Sequence, residues 1–126
     1  MNDKFLIVIE IKNFILSLDK ILINYPKKDI IIKKKIYEES LKLLELVYLA
    51  NIVNDNKLHY QNKILVSINM LDYYFEYSYK KQYISLKVLN NKTNNLTKIN
   101  KMVYGWIRNS GLWIIKWYYK YLWKRS

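Results

Sequence analysis

The sequence predicts an all-α fold, an antiparallel up-down-up-down four-helix bundle followed by an amphipathic helix at the C-terminus. The 126 residues include only two glycines and one proline, which leaves little turn chemistry for many short strands. Apolar residues recur at intervals of three and four along four successive stretches, the spacing of one buried side of a helix. The connections between these stretches are short, and short connections favour antiparallel neighbours.

The first two helices are predicted on either side of Pro26. Proline disfavours helical geometry in the residue before it and fits the first turn of the next helix, so Pro26 is expected to be the joint. The first helix is predicted over residues 3–24, with the seam Val8, Ile11, Ile15, Leu18, Leu22 and Tyr25. The second is predicted over residues 28–54, with the seam Ile32, Ile36, Ser40, Leu43, Val47 and Ala50.

Two further helices are predicted after the Asn-Asp-Asn turn at residues 54–56. The third spans residues 57–79, with the seam Ile64, Ile68, Leu71, Phe75 and Ser78. The fourth follows Ser85, with the seam Leu89, Leu96, Ile99, Val103 and Trp106. It is predicted to stop near Arg108, because the Asn-Ser-Gly sequence that follows offers capping residues. The bundle would then occupy residues 1–110 and a separate tail residues 111–126.

The positive charge of the chain is concentrated at its C-terminal end. The formal net charge is +12, and no aspartate or glutamate follows Glu76. Residues 80–126 contain nine lysines and two arginines, whereas residues 1–79 contain eleven lysines and ten acids. A general lysine bias would raise the number of cations everywhere without removing the acids from one end. The asymmetry therefore predicts a polyanionic partner.

A cationic stripe is predicted along the fourth helix. At 100° per residue Lys80, Lys87 and Lys98 fall within about 20° of one another, opposite the apolar seam. Lys101, Arg108 and Lys92 are expected to flank this stripe. The simpler interpretation is a solvated outer face, as on most lysine-rich helices. The alternative is a surface for RNA or DNA, because lysines neutralise phosphates without reading sequence.

The tail combines cations with aromatic residues. Lys116, Lys120 and Lys124 recur every four residues and share one side if the segment is helical, and Trp113, Trp117 and Trp123 lie among them. Such a helix could stack nucleic-acid bases or lie on a membrane surface. It could also dock on a neighbouring subunit or a partner protein, which exposed aromatic clusters commonly do, and this is the interpretation we favour.

Catalytic and metal-binding patterns are not found in the sequence. There is no cysteine, and the single histidine, His59, is next to a turn. Asp72 and Glu76 are one helical turn apart and are expected to pair with lysines rather than to act as acid and base. We therefore expect a protein that is not an enzyme and has no cofactor or metal. With no signal-peptide pattern and no long apolar span, it is expected to be soluble and cytoplasmic, without membrane association.

Four short sequence features resemble one family. They are the Tyr25-Pro26-Lys27 joint, the basic start of the second helix around Lys34 and Lys35, the run LKLLELVYLAN at residues 41–51, and the ending YGWIRNS at residues 104–110. In this order and spacing the chain resembles, over about residues 5–110, the four-helix bundles that include the accessory variability determinants of diversity-generating retroelements and the 23S ribosomal RNA intervening-sequence proteins.

The resemblance implies a bundle without enzymatic activity that assembles as a homopentamer. For the retroelement branch it also implies binding to a reverse transcriptase and its template RNA, in support of mutagenic cDNA synthesis. Lys34 and Lys35 match basic positions of the family, and Gly105-Trp106 matches its Gly-Trp pair, where Gly105 would permit close helix approach and Trp106 would fill the bundle end. Asp72 and Glu76 replace arginines that relatives often carry. The alternatives are the ribosomal branch, or a structural or membrane-surface oligomer that acts through its aromatic tail.

Overall fold

Four long helices form the protein. In the computed structural model, the backbone is described for residues 3–53 and 55–125, and the side chains for residues 5–53 and 55–110. Within the described backbone there is no strand, so the prediction of an all-α four-helix fold is confirmed. The helices are α1 Asp3–Ser17, the one-turn α2 Asp19–Leu22, α3 Ile30–Ile52, α4 Lys57–Lys80 and α5 Leu86–Arg125, with a 3-10 turn at Lys27–Asp29 before α3.

The main contacts between the long helices run in a closed square. α3 packs against α1 and α4, and α5 packs against α4 and α1. The core lies along the middle of this square, where Phe14 of α1 meets Phe75 of α4 edge to face, with ring centroids 6.1 Å apart. Such a geometry is favourable for two aromatic rings. Truncating Phe75, which is fully buried, would cost about 3–5 kcal/mol of stability.

The seams predicted for α3 and α4 are confirmed. All six predicted residues of α3 and all five of α4 are buried. Two of them are serines, and each hydroxyl donates a hydrogen bond to a backbone carbonyl four residues earlier, Ser40 to Ile36 and Ser78 to Tyr74. These bonds satisfy the hydroxyl groups within their own helix and allow serine to occupy a core position.

The first helix differs from its prediction in two ways. It breaks at Leu18, because the Ser17 hydroxyl donates to the Phe14 carbonyl and the Leu18 N–H bonds Ile15 instead. The buried seam also includes Ile7 and Phe14, whereas the predicted Val8 and Ile15 are half-buried. Apolar residues surround this helix on most sides, so its sequence alone does not select the face that packs between α3 and α5.

The joint between α2 and α3 is held by a carboxylate. Pro26 has an extended backbone conformation (φ −70°, ψ 144°) and precedes the 3-10 turn. At the end of that turn Asp29 accepts hydrogen bonds from the hydroxyls of Tyr77 (3.3 Å) and Tyr83 (2.8 Å). The start of α3 is thereby tied both to the end of α4 and to the turn before α5.

The predicted end of the fourth helix near Arg108 is wrong. α5 continues unbroken from Leu86 to Arg125, so the predicted domain boundary between residues 110 and 111 lies within one helix. Within the described backbone only Asn56 and Gln82 have a positive φ among residues other than glycine, and Asn109 is not one of them. The Ser110 hydroxyl donates to the Trp106 carbonyl at 3.0 Å, as a serine inside a helix does.

Candidate nucleic-acid interface

The side of α5 that faces solvent carries cations and small polar residues. Lys87, Lys98, Lys101 and Arg108 lie within about 80° of one another around the helix axis, opposite the buried seam, and we call them the outer cations. All four are exposed. The residues between them include exposed asparagines and threonines, Asn90, Asn91, Thr93, Asn94 and Thr97. Because the sequence has no acid after Glu76, no carboxylate of α5 itself can neutralise them.

Lys98 is neutralised from another helix. Its ammonium nitrogen lies 2.8 Å from Oε1 of Glu10 on α1, and both side chains are partly exposed. Ion pairs in such positions contribute about 0.2–1 kcal/mol to stability. Glu10 of the protein itself therefore offsets one of the cations from which the charge asymmetry predicts a polyanionic partner. Within the described side chains Lys87, Lys101 and Arg108 form no ion pair with an acid.

Lys92 does not lie on the outer face. It is only 2% exposed and occupies the seam between Leu89 and Leu96, about 120° around the axis from Lys98. Its ammonium group donates to the Ser17 hydroxyl and lies 5.4 Å from the centre of the Phe14 ring. Burial lowers the pKa of Lys92. The prediction of a surface cation is wrong because residue 92 follows Leu89 by three and precedes Leu96 by four, the positions of a seam residue.

Lys80 lies outside the predicted stripe for a different reason. It is the exposed last residue of α4, and the turn at residues 81–85 separates it from α5. A helical angle measured along α5 therefore does not apply to it, and the predicted alignment of Lys80 with Lys87 and Lys98 is wrong.

The basic pair on α3 is not joined to the outer cations. Lys34 and Lys35 are both exposed, and the ammonium nitrogen of Lys34 lies 3.9 Å from Oε1 of Glu38. The main contacts of α3 are with α1 and α4 rather than with α5. The structure thus distributes the two predicted groups of cations over different helices without bringing them together.

The acidic pair on α4 consists of Asp72 and Glu76. Asp72 and Glu76 were expected to pair with lysines, but in the described part of the chain neither forms an ion pair. Burial, together with the charge of Glu76, raises the pKa of Asp72. Among the described side chains the expected salt bridges of this pair are therefore not formed.

Of the Gly105-Trp106 pair, Trp106 packs in the described core. Trp106 is 4% exposed and belongs to the hydrophobic core. A methyl group at Gly105 would meet only the Arg108 guanidinium, at 3.9 Å, within the described part of the chain. The close helix approach expected at Gly105 is therefore not present among the described residues.

The sequence analysis missed an exposed apolar row on α3. Its members lie at intervals of seven and four residues on the side opposite the seam, and their side chains are between 40% and 74% exposed. They are Ile30, Tyr37, Leu41, Tyr48 and Ile52, and we call them the α3 stripe. This spacing keeps them within about 60° on a helix, so a second periodic series could have been recognised in the sequence.

Four further observations concern the tail, metal binding, His59 and membrane-spanning helices. The tail residues Trp113, Lys116, Trp117, Lys120, Trp123 and Lys124 have helical backbone, but their side chains lie outside the described part. Residues that are described contain no group of three or more histidine, cysteine or acidic side chains that could hold a metal ion. His59 is exposed beside Tyr60. Nor does any helix, in the part that is described, have the length and apolar character to cross a membrane.

The chain was also compared with known proteins. No protein-family model matches it, and neither the curated proteins nor the solved structures gave a match.

Proposed function

We propose that the protein is a nucleic-acid-binding accessory protein of a diversity-generating retroelement, without enzymatic activity of its own. In this role it binds the reverse transcriptase and the template RNA in the cytoplasm and supports mutagenic cDNA synthesis. The observation that carries the RNA-binding part is the outer face of α5, where Lys87, Lys101 and Arg108 are exposed without an acid partner among the described residues. The reverse transcriptase is included as a partner because the sequence resembles the accessory variability determinants.

The chemistry of this face fits an extended polyanion better than a specific base sequence. Three outer cations have no acid partner among the described side chains. Two of them are lysines, which neutralise phosphates as point charges, and the third, Arg108, has the guanidinium fork that can read a base edge. Exposed asparagines and threonines between the cations can donate further hydrogen bonds to phosphates and riboses. We therefore expect affinity for structured RNA with little sequence preference.

The salt dependence of RNA binding tests this proposal. Each neutralised phosphate changes log K by about 0.7–0.9 per tenfold change in salt, so three contacts weaken binding about 20- to 40-fold between 50 and 200 mM salt. Six contacts, which would add the three tail lysines, predict about 300- to 2,000-fold over the same interval. Filter binding of the purified full chain to structured RNA measures the slope. An affinity that does not change with salt would contradict binding through these cations.

The proposal includes self-association as a homopentamer, and the α3 stripe supports an interface between copies. Five exposed apolar side chains in a row resemble the centre of a protein interface more than a solvated surface. At its N-terminal end the stripe borders a groove of about 560 Å³ that Ile23, Ile30 and Tyr37 line. Sedimentation equilibrium in solution measures the subunit number, and a monomer at micromolar concentration would contradict self-association.

The reverse transcriptase is tested separately. Purified chain should co-elute with the enzyme encoded in the same element and raise its cDNA yield on the template RNA. Normal RNA binding without either effect would retain the RNA-binding part of the proposal and reject the retroelement part. A gene located inside a 23S ribosomal RNA gene would favour the ribosomal branch instead.

A further inference from the structure

A second basic feature lies beside the outer face of α5, in a groove between the end of α1 and the first turns of α5. The groove has a volume of about 920 Å³. Its polar walls consist of three lysines, three asparagines and one serine, and no carboxylate is among the described residues that line it. Lys20 and Lys87 are exposed on opposite sides of the groove, and Asn91 and Asn94 are exposed on the α5 side.

Lys92 brings a buried positive charge to this groove. A lysine that is only 2% exposed normally has an acidic partner, because the loss of hydration of its ammonium group is costly. Here its neighbours are the neutral Ser17 hydroxyl and the face of the Phe14 ring, and within the described side chains no acid forms an ion pair with it. Both contacts favour the cation without neutralising it.

The N-terminal end of α5 adds to the positive electrostatic potential of the groove. Ser85 precedes the helix and its hydroxyl accepts the Val88 N–H at 3.2 Å, and the first turn contains no acidic residue. No carboxylate of that first turn therefore offsets the positive end of the helix dipole, which favours an anion in the adjoining space. The helix end by itself would not define a site, but here it joins three lysines around a groove of molecular size.

We propose that this groove binds a phosphate group, with Lys92 at its floor, Lys20 and Lys87 at its sides, and the amides of Asn91 and Asn94 as additional donors. The group is provided either by a free phosphate compound or by the RNA backbone. The site overlaps the outer face at Lys87, Asn91 and Asn94, whereas Lys20 and Lys92 belong to the groove alone. Binding of a free phosphate there does not depend on RNA binding. A bound phosphate would supply the counter-charge that the protein itself does not give to Lys92.

Titration of the isotope-labelled full chain with inorganic phosphate and pyrophosphate, followed by amide NMR at constant ionic strength, tests the site. We expect saturable shifts concentrated at residues 17–21 and 86–94, with pyrophosphate binding more tightly than phosphate. Shifts that are absent, or that sodium chloride reproduces at equal ionic strength, would overturn the proposal.

Variants locate the effect in the groove. Lys92→Met retains the volume and removes the charge, so phosphate binding should weaken at least tenfold while the melting temperature stays equal or rises, because a buried unpaired charge is lost. Lys20→Gln, which is at the surface and leaves the core intact, should weaken binding about threefold. The matched control Lys12→Gln, an exposed lysine of α1 outside the groove, should change it less than twofold. Equal binding by all three variants would overturn the proposal.

Competition identifies the source of the phosphate. If the groove binds the RNA backbone, pyrophosphate should displace labelled RNA, and Lys92→Met should lower RNA affinity. If it binds a free phosphate compound, pyrophosphate and RNA should bind together. Loss of RNA binding in every condition with the phosphate shifts retained would reject the proposed function and keep this site, so the two proposals fail in different experiments.

Discussion

The outer faces of α3 and α5 differ although both helices bury regular apolar seams. On α3 the side opposite the seam presents the five residues of the α3 stripe, and the helix carries four lysines and three glutamates. Residues 86–110 of α5 instead carry five cations and no acid, and only Leu86 and Tyr104 are exposed large apolar residues there. Two helices of the same bundle thus present different chemistry to solvent.

Because the two surfaces differ in chemistry, binding at each of them should respond differently to salt concentration. Contacts between apolar side chains do not weaken when ions screen charge, and excluded salts strengthen them. Contacts between lysines and phosphates weaken steeply as salt rises. If α3 mediates self-association and α5 binds RNA, high salt should release the RNA and leave the oligomer intact.

Charge reversal on α5 should give the largest effect. Lys101→Glu with Arg108→Glu removes two phosphate contacts and adds repulsion, so RNA affinity at 0.1 M salt should fall about 100-fold. Filter binding measures it. The double variant Lys12→Glu with Lys42→Glu has the same net charge change on α1 and α3, and it should lose less than tenfold. Equal losses in the two double variants would remove the distinction between the faces.

Charges placed in the α3 stripe test the other half of the comparison. Leu41→Lys with Tyr48→Lys should weaken self-association about 10- to 100-fold, because two desolvated contacts are replaced by cations. Both residues are exposed in the protomer, so its melting temperature should change little. Sedimentation equilibrium gives the association constant, and Leu58→Lys, an exposed apolar residue of α4 outside the stripe, serves as control. An unchanged subunit number would reject the stripe as interface.

Asp29 connects the two regions, since it fixes the start of α3 to the turn before α5. Asp29→Asn removes the charge that accepts two tyrosine hydroxyls, and the melting temperature at pH 7 should fall by about 4–8 °C. Differential scanning calorimetry measures it. Asp19→Asn, an exposed acid without an ion pair among the described residues, should have little effect and is the control.

The Asp29 effect should also depend on pH. The hydrogen bond to Asp29, followed by burial, raises the pKa of Tyr83 to about 12 from an ordinary value of 10.0. As the pH rises from 10 to 12, the unfolded tyrosine ionises before the folded one, so the unfolded state binds fewer protons and stability falls. The stability advantage of the wild type over Asp29→Asn should therefore be full from pH 7 to pH 10 and shrink above pH 10. An advantage that grows above pH 10 would contradict this assignment.

The smallest expected effect concerns Lys98. Glu10→Gln frees its ammonium group, so RNA affinity should rise by about two- to eightfold at 0.1 M salt, the gain from one more phosphate contact. The cost in stability should be below about 1 kcal/mol, since the pair is partly exposed. Filter binding and thermal unfolding of the same samples measure both. A loss of RNA affinity would place Lys98 and Glu10 outside the interface.

Prediction from sequence succeeded for the seams of α3 and α4. Every predicted seam residue of these two helices is buried because the residues recur at helical spacing, and Ser40 and Ser78 fit that spacing. Leu46, Gln61 and Ser67 are buried as well and were not predicted. In α1 several faces are apolar, so the seam containing Ile7 and Phe14 was assigned to neighbouring positions. The end of α5 was missed because Asn109 and Ser110 can cap a helix but can also continue one, and Ser110 bonds within the helix.

The candidate site was predicted only in part, for a different reason. Lys87, Lys101 and Arg108 lie on the outer face because their angles are fixed along one helix. Lys98 has the same angle, but whether Glu10 neutralises it depends on how α1 packs, 88 residues earlier in the chain. Lys92 was expected to flank the cationic stripe, although its position three residues after Leu89 and four before Leu96 is that of a seam residue.

The sequence by itself determined the helical fold, most of the buried seams and the excess of positive charge near the C-terminus, because these depend on composition and on spacing within one helix. The tertiary structure alone decided which of those charges remain free. Lys92 is buried beside Ser17 and Phe14 and is therefore not at the surface. Lys98 is exposed but forms an ion pair with Glu10. Electrostatic interactions act through space between distant segments, so the charge available to a partner is a property of the packed helices.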